Sequence, residues 1–274
     1  MKPHRSTYYE CPQIDDWEKF AQQVEQLCQL NGLAEELGLQ HQIELYSVDE
    51  KCGMQALERT AADLPAAAGG HVRRRECNYI RHGTQSLIAA LHVASGGVSA
   101  SVGQTRTEDD FVGFIEWVVA GLAPQQKAVF VLDQLNTHKS EQLVRLMAQL
   151  NGDEQDLGQK GKSGVLHNMV TRMQYLQGAP LEDVRNQTQR IRFVYTPKHC
   201  SWLNLVEGWF SGLQNRLLSL VSCQSTTELA DRVLEYVAYY NENWAKTINW
   251  LKVKKADIDQ LIEKTRKLVT KLTG

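Results

Sequence analysis

The sequence predicts an α/β fold: a mixed sheet flanked by helices, with a meander along one side. Three observations predict it. Short apolar runs rich in β-branched and aromatic residues, "IELYSVDE", "KAVFVLD" and "IRFVYTP", have strand length rather than helix length. A glycine-punctuated tract, "NYIRHGTQSLIAALHVASGGVSASVG", sets strand-like runs on both sides of a Gly96-Gly97 turn. Around these, apolar residues recur at helical spacing, which gives the order β, β, β, α, β, α, β, α, α and five strands in all.

Each element has its own warrant. From Ile14 to about Leu39, Trp17, Phe20, Val24, Leu27, Leu33 and Leu37 repeat with helical period, and Asn31-Gly32 breaks the run into two short helices. "IELYSVDE" is a buried strand expected to end on its acids, and the meander supplies two more strands. Thr107 with Glu108, Asp109 and Asp110 opens a helix through Phe111, Phe114, Ile115, Val118 and Val119 that stops near Gly121 and Pro124. "KAVFVLD" is the fourth strand, followed by a helix beginning at Ser140 and Glu141. Residues 151–190 change character: "NGDEQDLGQKGKSG" is polar and glycine-rich, and the helix-like stretch behind it is weakly patterned, as an insertion between core elements would be. "IRFVYTP" is the fifth strand. Three helices close the chain, on "YTPKHCSWLNLVEGWFSGL", "TTELADRVLEYVAYYNENW" and "DIDQLIEKTRKLVTKL".

The 274 residues are 42% hydrophobic and 23% charged, enough for a large core. No apolar run reaches membrane-spanning length and the start lacks a signal-peptide pattern, so a cytoplasmic protein without a membrane partner is expected. Six scattered cysteines with no C-x-x-C pair argue for reduced thiols. The net charge of -2 hides an asymmetry: residues 1–70 carry 5 Lys/Arg against 12 Asp/Glu, residues 246–274 carry 8 against 3. That basic end and the run Arg73, Arg74, Arg75 are either phosphate contacts or solvated faces.

Three acids stand out by position. Asp49 falls at the predicted end of the first strand and Asp133 at that of the fourth, while Glu207 interrupts the apolar stripe Leu203, Val206, Phe210, Leu213, Leu217. Taken singly, an Asp at a strand end is a turn former and Glu207 a snorkelling or paired acid. If the first and fourth strands are neighbours, their ends lie about 5 Å apart, and a helix packed across them aims the third acid at the same spot. Three clustered carboxylates repel unless cations separate them, and oxygen donors favour Mg²⁺ or Mn²⁺. Two such ions are the arrangement used in phosphodiester chemistry.

Four tracts then carry a family resemblance. "SVDEKCGMQALERT", "YIRHGTQSLIAALHVASGGV", "VLDQLNTHKS" and "YTPKHCSWLNLVEGWFSGL" resemble the first catalytic block, the meander, and the second and third blocks of the DDE transposases of bacterial insertion sequences, specifically the insertion sequence six-thirty family of the mariner-like superfamily. The resemblance implies a ribonuclease H-like fold with Asp49, Asp133 and Glu207 as catalytic, metal-binding triad. It implies two Mg²⁺ or Mn²⁺ ions, water attack at the element's end, and attack of the freed 3′-hydroxyl on target DNA. On it, Asn136, His138, His199, Ser201 and Asn204 are either supporting groups at the site or side chains that hydrogen-bond the fold. Lys51, Arg81 and His82, with the Arg73–Arg75 run, are candidate DNA contacts.

The implied organisation is an N-terminal linker with short helices (1–42), a catalytic core in two parts (43–150 and 191–245) around the insertion (151–190), and a basic C-terminal helix (246–274). Asp133 and Glu207 are 74 positions apart, a wider gap than the family's usual one, which makes 151–190 inserted. It is either a surface excursion or a cover over the site. Family members carry a helix-turn-helix reader ahead of a linker like "KPHR", so this chain is expected to be the catalytic half, with DNA and a separate helix-turn-helix polypeptide as partners. A stripe of Ile258, Leu261, Ile262, Thr265, Leu268 and Leu272 suggests a homodimer. The rival to a metal-dependent transposase is a non-catalytic, degenerate or domesticated fragment that binds DNA or a transposase partner. A two-carboxylate glycosidase would need no metal.

Overall fold

The computed structural model describes residues 14–65, 72–176, 181–198, 200, 203–247 and 255–273. Asp16 starts the first helix: its carboxylate accepts from the N–H groups of Glu18 and Lys19, both at 3.0 Å, and so satisfies two donors the first turn leaves free. Helix α1 (Trp17–Gly32) buries Phe20, Val24, Leu27 and Leu30 on one face. Helix α2 (Ala34–His41) follows after Leu33 and ends at Gln42, whose left-handed φ of 55° turns the chain into the sheet.

Strand β1 (Ile43–Arg59) does not end on its acids. It continues past Asp49 because β2 (Tyr79–His92) pairs with it antiparallel from Tyr46 to Arg59, with irregularities between Lys51 and Met54 and between Ala56 and Leu57. Gly53, at φ +66°, lies in the first irregularity, where an extra residue kinks the strand. What ends near Asp49 is the other partner: β4 (Lys127–Leu132) pairs parallel with β1 only from Ile43 to Ser47. With β3 (Val98–Gly103) and β5 (Ile191–Tyr195), the sheet order is β3-β2-β1-β4-β5, with β4 and β5 parallel. This is the mixed, helix-flanked, five-stranded sheet expected.

Alternation along the strands feeds both faces. Tyr46, Val48, Phe130, Leu132 and Phe193 point to one side, where α3 (Glu108–Ala120) and α4 (Glu141–Asn151) bury Phe111, Ile115, Leu143 and Met147 against them. Both helices begin as the sequence signals: Thr107 and Asp110 form a capping box, and the Ser140 hydroxyl accepts from Leu143 N–H. On the opposite side Ile43, Leu45, Val129 and Val131 meet α1 and α2, while Leu87, Ala89 and Leu91 meet α6 (Val206–Leu213) and α7 (Thr226–Asn243).

Between α4 and β5 the chain is folded into the core. Leu157, Leu166, Tyr175 and Leu176 are buried in the same cluster as Phe130 and Phe193, and the segment forms α5 (Met169–Leu176) and a 3₁₀ turn at Leu181–Asn186. It is therefore no loose surface excursion.

Helix α6 starts at Val206, not at Leu203, because residues 203–205 form an irregular turn; it continues into a π-helical turn, Gln214–Leu218. The last helix, α8 (Lys255–Thr273), turns Ile258, Leu261 and Ile262 onto Phe20 and Val24 of α1. That part of the proposed dimer stripe is consumed within the chain; the side chains of Leu268 and Leu272 lie outside the described residues. No helix among the described residues is long and apolar enough to cross a membrane, and Cys28, Cys52, Cys77 and Cys223 are free thiols.

The β2–β3 turn gives a direct test of how the end of α7 closes on the sheet. Gly96 has φ +73°, and a Cβ there would sit 2.1 Å from the Lys246 carbonyl oxygen, a backbone atom that cannot rotate away. Gly96→Ala is expected to cost at least about 2 kcal/mol, from the left-handed backbone and the clash together. It would be read as a lower urea midpoint; an unchanged midpoint would mean the 245–247 segment does not lie on the turn.

Candidate metal centre

Parallel pairing sets the site. The β1–β4 register places Ser47 opposite Val131, and carried two residues on it brings Asp49 to the level of Asp133. Asp133 is the first residue past β4, where the sheet stops and the chain is free to turn. The three groups Asp49, Asp133 and His138 each offer a ligand atom within 4.8 Å of the others. Glu207 enters from α6, in its first turn rather than one turn in, at the helix's positive end. Its charge acts on Asp49, and that of Asp133 acts on it.

Two buried polar residues fix Glu207's helix relative to Asp49. Asn204 donates to Val48 O at 2.7 Å and to Asp49 Oδ2 at 3.3 Å, and its own oxygen accepts from the Ser47 hydroxyl. Val206 N–H donates to the same Ser47 oxygen at 3.0 Å. The strand that carries one acid and the helix that carries another are thus tied by a fully satisfied network. Asn204 positions; at 1% exposure it has no access to a substrate. Ser47 escaped notice in the sequence, because a serine inside an apolar strand has no signature until its partner is known.

His138 is likewise internal, not a group that reaches solvent water. Its ring packs at a tilt of 41° against Phe111, 4.5 Å between centroids, its Nδ1 lies 2.7 Å from Asp133 Oδ1, and its Nε2 lies 3.6 Å from Glu50 Oε1. Tyr195 donates to its carbonyl at 2.7 Å. Burial pushes its pKa down, but the Asp133 and Glu50 carboxylates outweigh burial and raise it to about 9. In the metal-free protein His138 is therefore a charged hydrogen-bond partner of Asp133. Glu50, side chain 1% exposed, is also held by Arg106 at 3.1 Å.

The acids respond to these surroundings differently. Burial pushes the Asp49 carboxyl up to about 6; the Glu50 N–H bond offsets this in part, and the Asp133 and Glu207 charges add to it. Burial also pushes Asp133 up, but the His138 bond and charge and the Leu135 N–H bring it below the usual carboxylate range. Glu207 is raised, by burial first and Asp133 later, against the opposing charge of Lys51. Asp49 therefore has two hydrogen-bond donors and no ion pair among the described residues. A buried carboxylate with Asp133 beside it and the Glu207 charge acting on it fits a hard divalent cation as the missing counter-charge.

Asn136 is exposed beside Asp133 at the start of a 3₁₀ turn, Thr137–Lys139. His199, Ser201 and Trp202 lie outside the described residues, and Trp209 packs on Tyr236 and Tyr240. The candidate DNA contacts are not gathered here. Arg73 and Arg75 pair with Asp63 at 2.6 and 3.2 Å, and Arg75 also bonds the Leu220 carbonyl. His82 pairs with Glu58 at 2.8 Å. Arg74 forms a backbone bridge with Leu64 and Arg81 is exposed opposite Leu57. Of that group only Lys51 acts on a site acid. Sequence reasoning passed over the cations that do surround Asp133: a cleft of about 630 Å³ beside it is lined by Lys139, Arg172 and Lys198.

The family model for DDE superfamily endonucleases matches residues 44–230. Among solved structures, the chain is similar to the Mos1 strand transfer complex at 10% identity and TM-score 0.49, over 97% of this chain and 65% of that one. It is similar to the Mos1 mariner paired end complex with Mn at 12% and 0.49, over 97% and 66%. It is similar to the catalytic domain of Mos1 mariner transposase at 10% and 0.43, over 95% and 96%. The chain thus spans 65% of the length of the first of these. No curated protein matches it.

Proposed function

The chain belongs to the DDE superfamily of endonucleases, and from that premise we propose that it is the catalytic part of a transposase, which cuts DNA at the ends of an element and joins them to target DNA. What supports this is the proximity of Asp49 and Asp133, at a strand and a strand end, together with Glu207 at a helix start whose charge acts on Asp49, a buried carboxyl with no ion pair among the described residues. Asp49, Asp133 and Glu207 would hold the metal, Mg²⁺ or Mn²⁺ and two ions in our reading. When bound, the ions supply a stronger nucleophile at neutral pH and neutralise charge on the leaving oxygen.

The protein's own contribution is rigidity and charge. Ser47 and Asn204 hold Glu207's helix against β1, so the carboxylates on either side need not reorganise. His138 and the Leu135 N–H occupy Asp133 Oδ1 and leave Oδ2 without a hydrogen-bond partner among the described residues. The four sequence blocks support membership of the insertion sequence six-thirty group. DNA as substrate, a homodimer and a separate helix-turn-helix partner complete the proposal.

The test is nicking of supercoiled plasmid in Mg²⁺ or Mn²⁺ beside Asp133→Asn. Nicking that needs metal and is lost in the variant is expected. Nicking undiminished in the variant, or no nicking together with no metal uptake by calorimetry, would sink the enzymatic reading and leave the non-catalytic fragment.

A further inference from the structure

The cleft beside Asp133 does not end there. A second cavity, about 360 Å³, shares Gln134, Lys139 and Arg172 with it and continues to Lys19 and Gln23 on α1. Together the two form a trench whose walls come from the loop after β4, from β5 and its exit, from α1, and from α5. Its charge is one-sided. Lys19, Lys139, Arg172 and Lys198 line it, and among the described residues the sole carboxylate on its walls is Asp133 at one end.

These cations are not consumed by the fold. Among the described residues none of the four has a carboxylate within ion-pair distance, in contrast to Arg73, Arg75, Arg106, Arg145 and Arg185. Arg172 Nε is buried with no hydrogen-bond partner. Lys139 is held in place, donating to Gln134 Oε1 at 3.1 Å and lying over the Tyr195 ring at 5.1 Å, but these contacts leave its charge unmatched. Like charges gathered in a concave, half-buried place cost free energy in the absence of an anion. The position of Arg172 is no accident of a floppy loop, because α5 is anchored by buried Tyr175 and Leu176 three and four residues on, with the Tyr175 hydroxyl donating to Asp153 at 2.9 Å.

We propose that this trench seats the phosphodiester backbone of the DNA strand that runs up to Asp133, and that the segment between α4 and β5 exists in this chain to supply Arg172 as its wall. The inference rests on the nuclease reading only for its direction, towards Asp133. A guanidinium whose Nε faces inward presents its remaining donors to phosphate oxygens, and Lys139 and Lys198 flank it as point charges. The segment is then a grip on substrate, neither a bystander nor a cover.

The test uses the full chain and a short fluorescein-labelled DNA duplex with a single-stranded overhang, by anisotropy in EDTA so that binding is read without cleavage. Arg172→Gln is expected to weaken binding by about tenfold and to lower the slope of log K against log salt by roughly 0.7 to 0.9, the signature of one lost phosphate contact. Arg172→Lys should recover most of the affinity. Arg232→Gln, a charge loss on the exposed face of α7, should change neither quantity, and thermal melts confirm that each variant is folded. Equal affinity and slope for Arg172→Gln and wild type would overturn the trench while leaving metal-dependent nicking untouched. Loss shared equally by Arg232→Gln would overturn it too, as general electrostatics. Absence of nicking with the Arg172 effect intact would instead count against the nuclease reading alone.

Discussion

Asp49→Asn is expected to abolish metal-dependent nicking, by at least about 1000-fold, and at the same time to stabilise the metal-free protein. The first effect follows from removing one of the three oxygen donors, since the metal is worth several kcal/mol of charge stabilisation. The second follows from where Asp49 sits. It is 7% exposed, and its carboxyl is pushed up to about 6, by burial first and by Asp133 and Glu207 after. A folded-state value above the unfolded one means that the native protein binds more protons between about pH 4 and pH 6. Stability contributed by this group is therefore lost as pH rises through that window, and the full penalty is present at pH 7. A shift of two units corresponds to about 3 kcal/mol; because an amide nitrogen would face Asn204 or the Glu50 N–H, a net gain of about 1 to 2 kcal/mol is expected for the variant. Urea denaturation in EDTA should show wild type gaining on the variant as pH falls from 7 to 5. Asp133 does not confuse the comparison, because its carboxyl is held below the usual range and its contribution is lost only under more acid conditions. Added Mg²⁺ should reverse the order, raising the midpoint of wild type and not of Asp49→Asn. A variant less stable than wild type in EDTA at pH 7 would show that the acids are satisfied without a cation.

What the sequence disclosed and what it hid divide along the range of the interactions. Capping at Thr107 and Ser140, the Gly96-Gly97 turn and the apolar periods of α1, α3 and α7 are local, and each lies where its residues foretell. The pairing of β1 with β4 was a condition on the sequence argument, and it holds through Ser47 opposite Val131. The extent of β1 was hidden, because the arm beyond Asp49 is a strand only by virtue of β2, and Lys51, Gly53 and Gln55 break the apolar pattern there. Glu207 was legible as an acid in a stripe, though the helix begins three residues later than the stripe. Basic runs misled: Arg73 and Arg75 are conspicuous in sequence yet serve Asp63 and a helix end. Lys139, Arg172 and Lys198 are isolated in sequence and come together only through β5 and α5. Electrostatic sites assembled from single residues on separate elements leave no periodic trace.

Removing His138 is expected to be the costliest single change to the fold. The ring stands between Asp133 Oδ1 at 2.7 Å and Glu50 Oε1 at 3.6 Å, and its side chain and that of Glu50 are 0% and 1% exposed. His138→Leu keeps most of the packing against Phe111 but strips a buried charge from between two others. Breaking such a set by deleting one partner costs about 3 to 5 kcal/mol, much more than the loss of a packing contact of this size. Arg106 at 3.1 Å remains with Glu50, so the lower part of that range applies. The sign with pH is opposite to that of Asp49. A histidine raised to about 9 contributes stability that is complete below about pH 6.5 and is lost as pH rises towards 9. Wild type should thus weaken across that interval in urea, and His138→Leu should not. Glu50→Gln supplies the control: combined with His138→Leu it removes the stranded carboxylate, and the double variant should be more stable than His138→Leu alone, with a coupling of about 1 to 3 kcal/mol. Additive losses in that cycle, or a cost for His138→Leu below about 1 kcal/mol, would mean the ring is neutral packing and Asp133 is held by the Leu135 N–H alone. The cluster explains why a residue with no route to substrate sits five positions after Asp133: the buried ring fixes one oxygen of that carboxylate and leaves the other without a hydrogen-bond partner among the described residues.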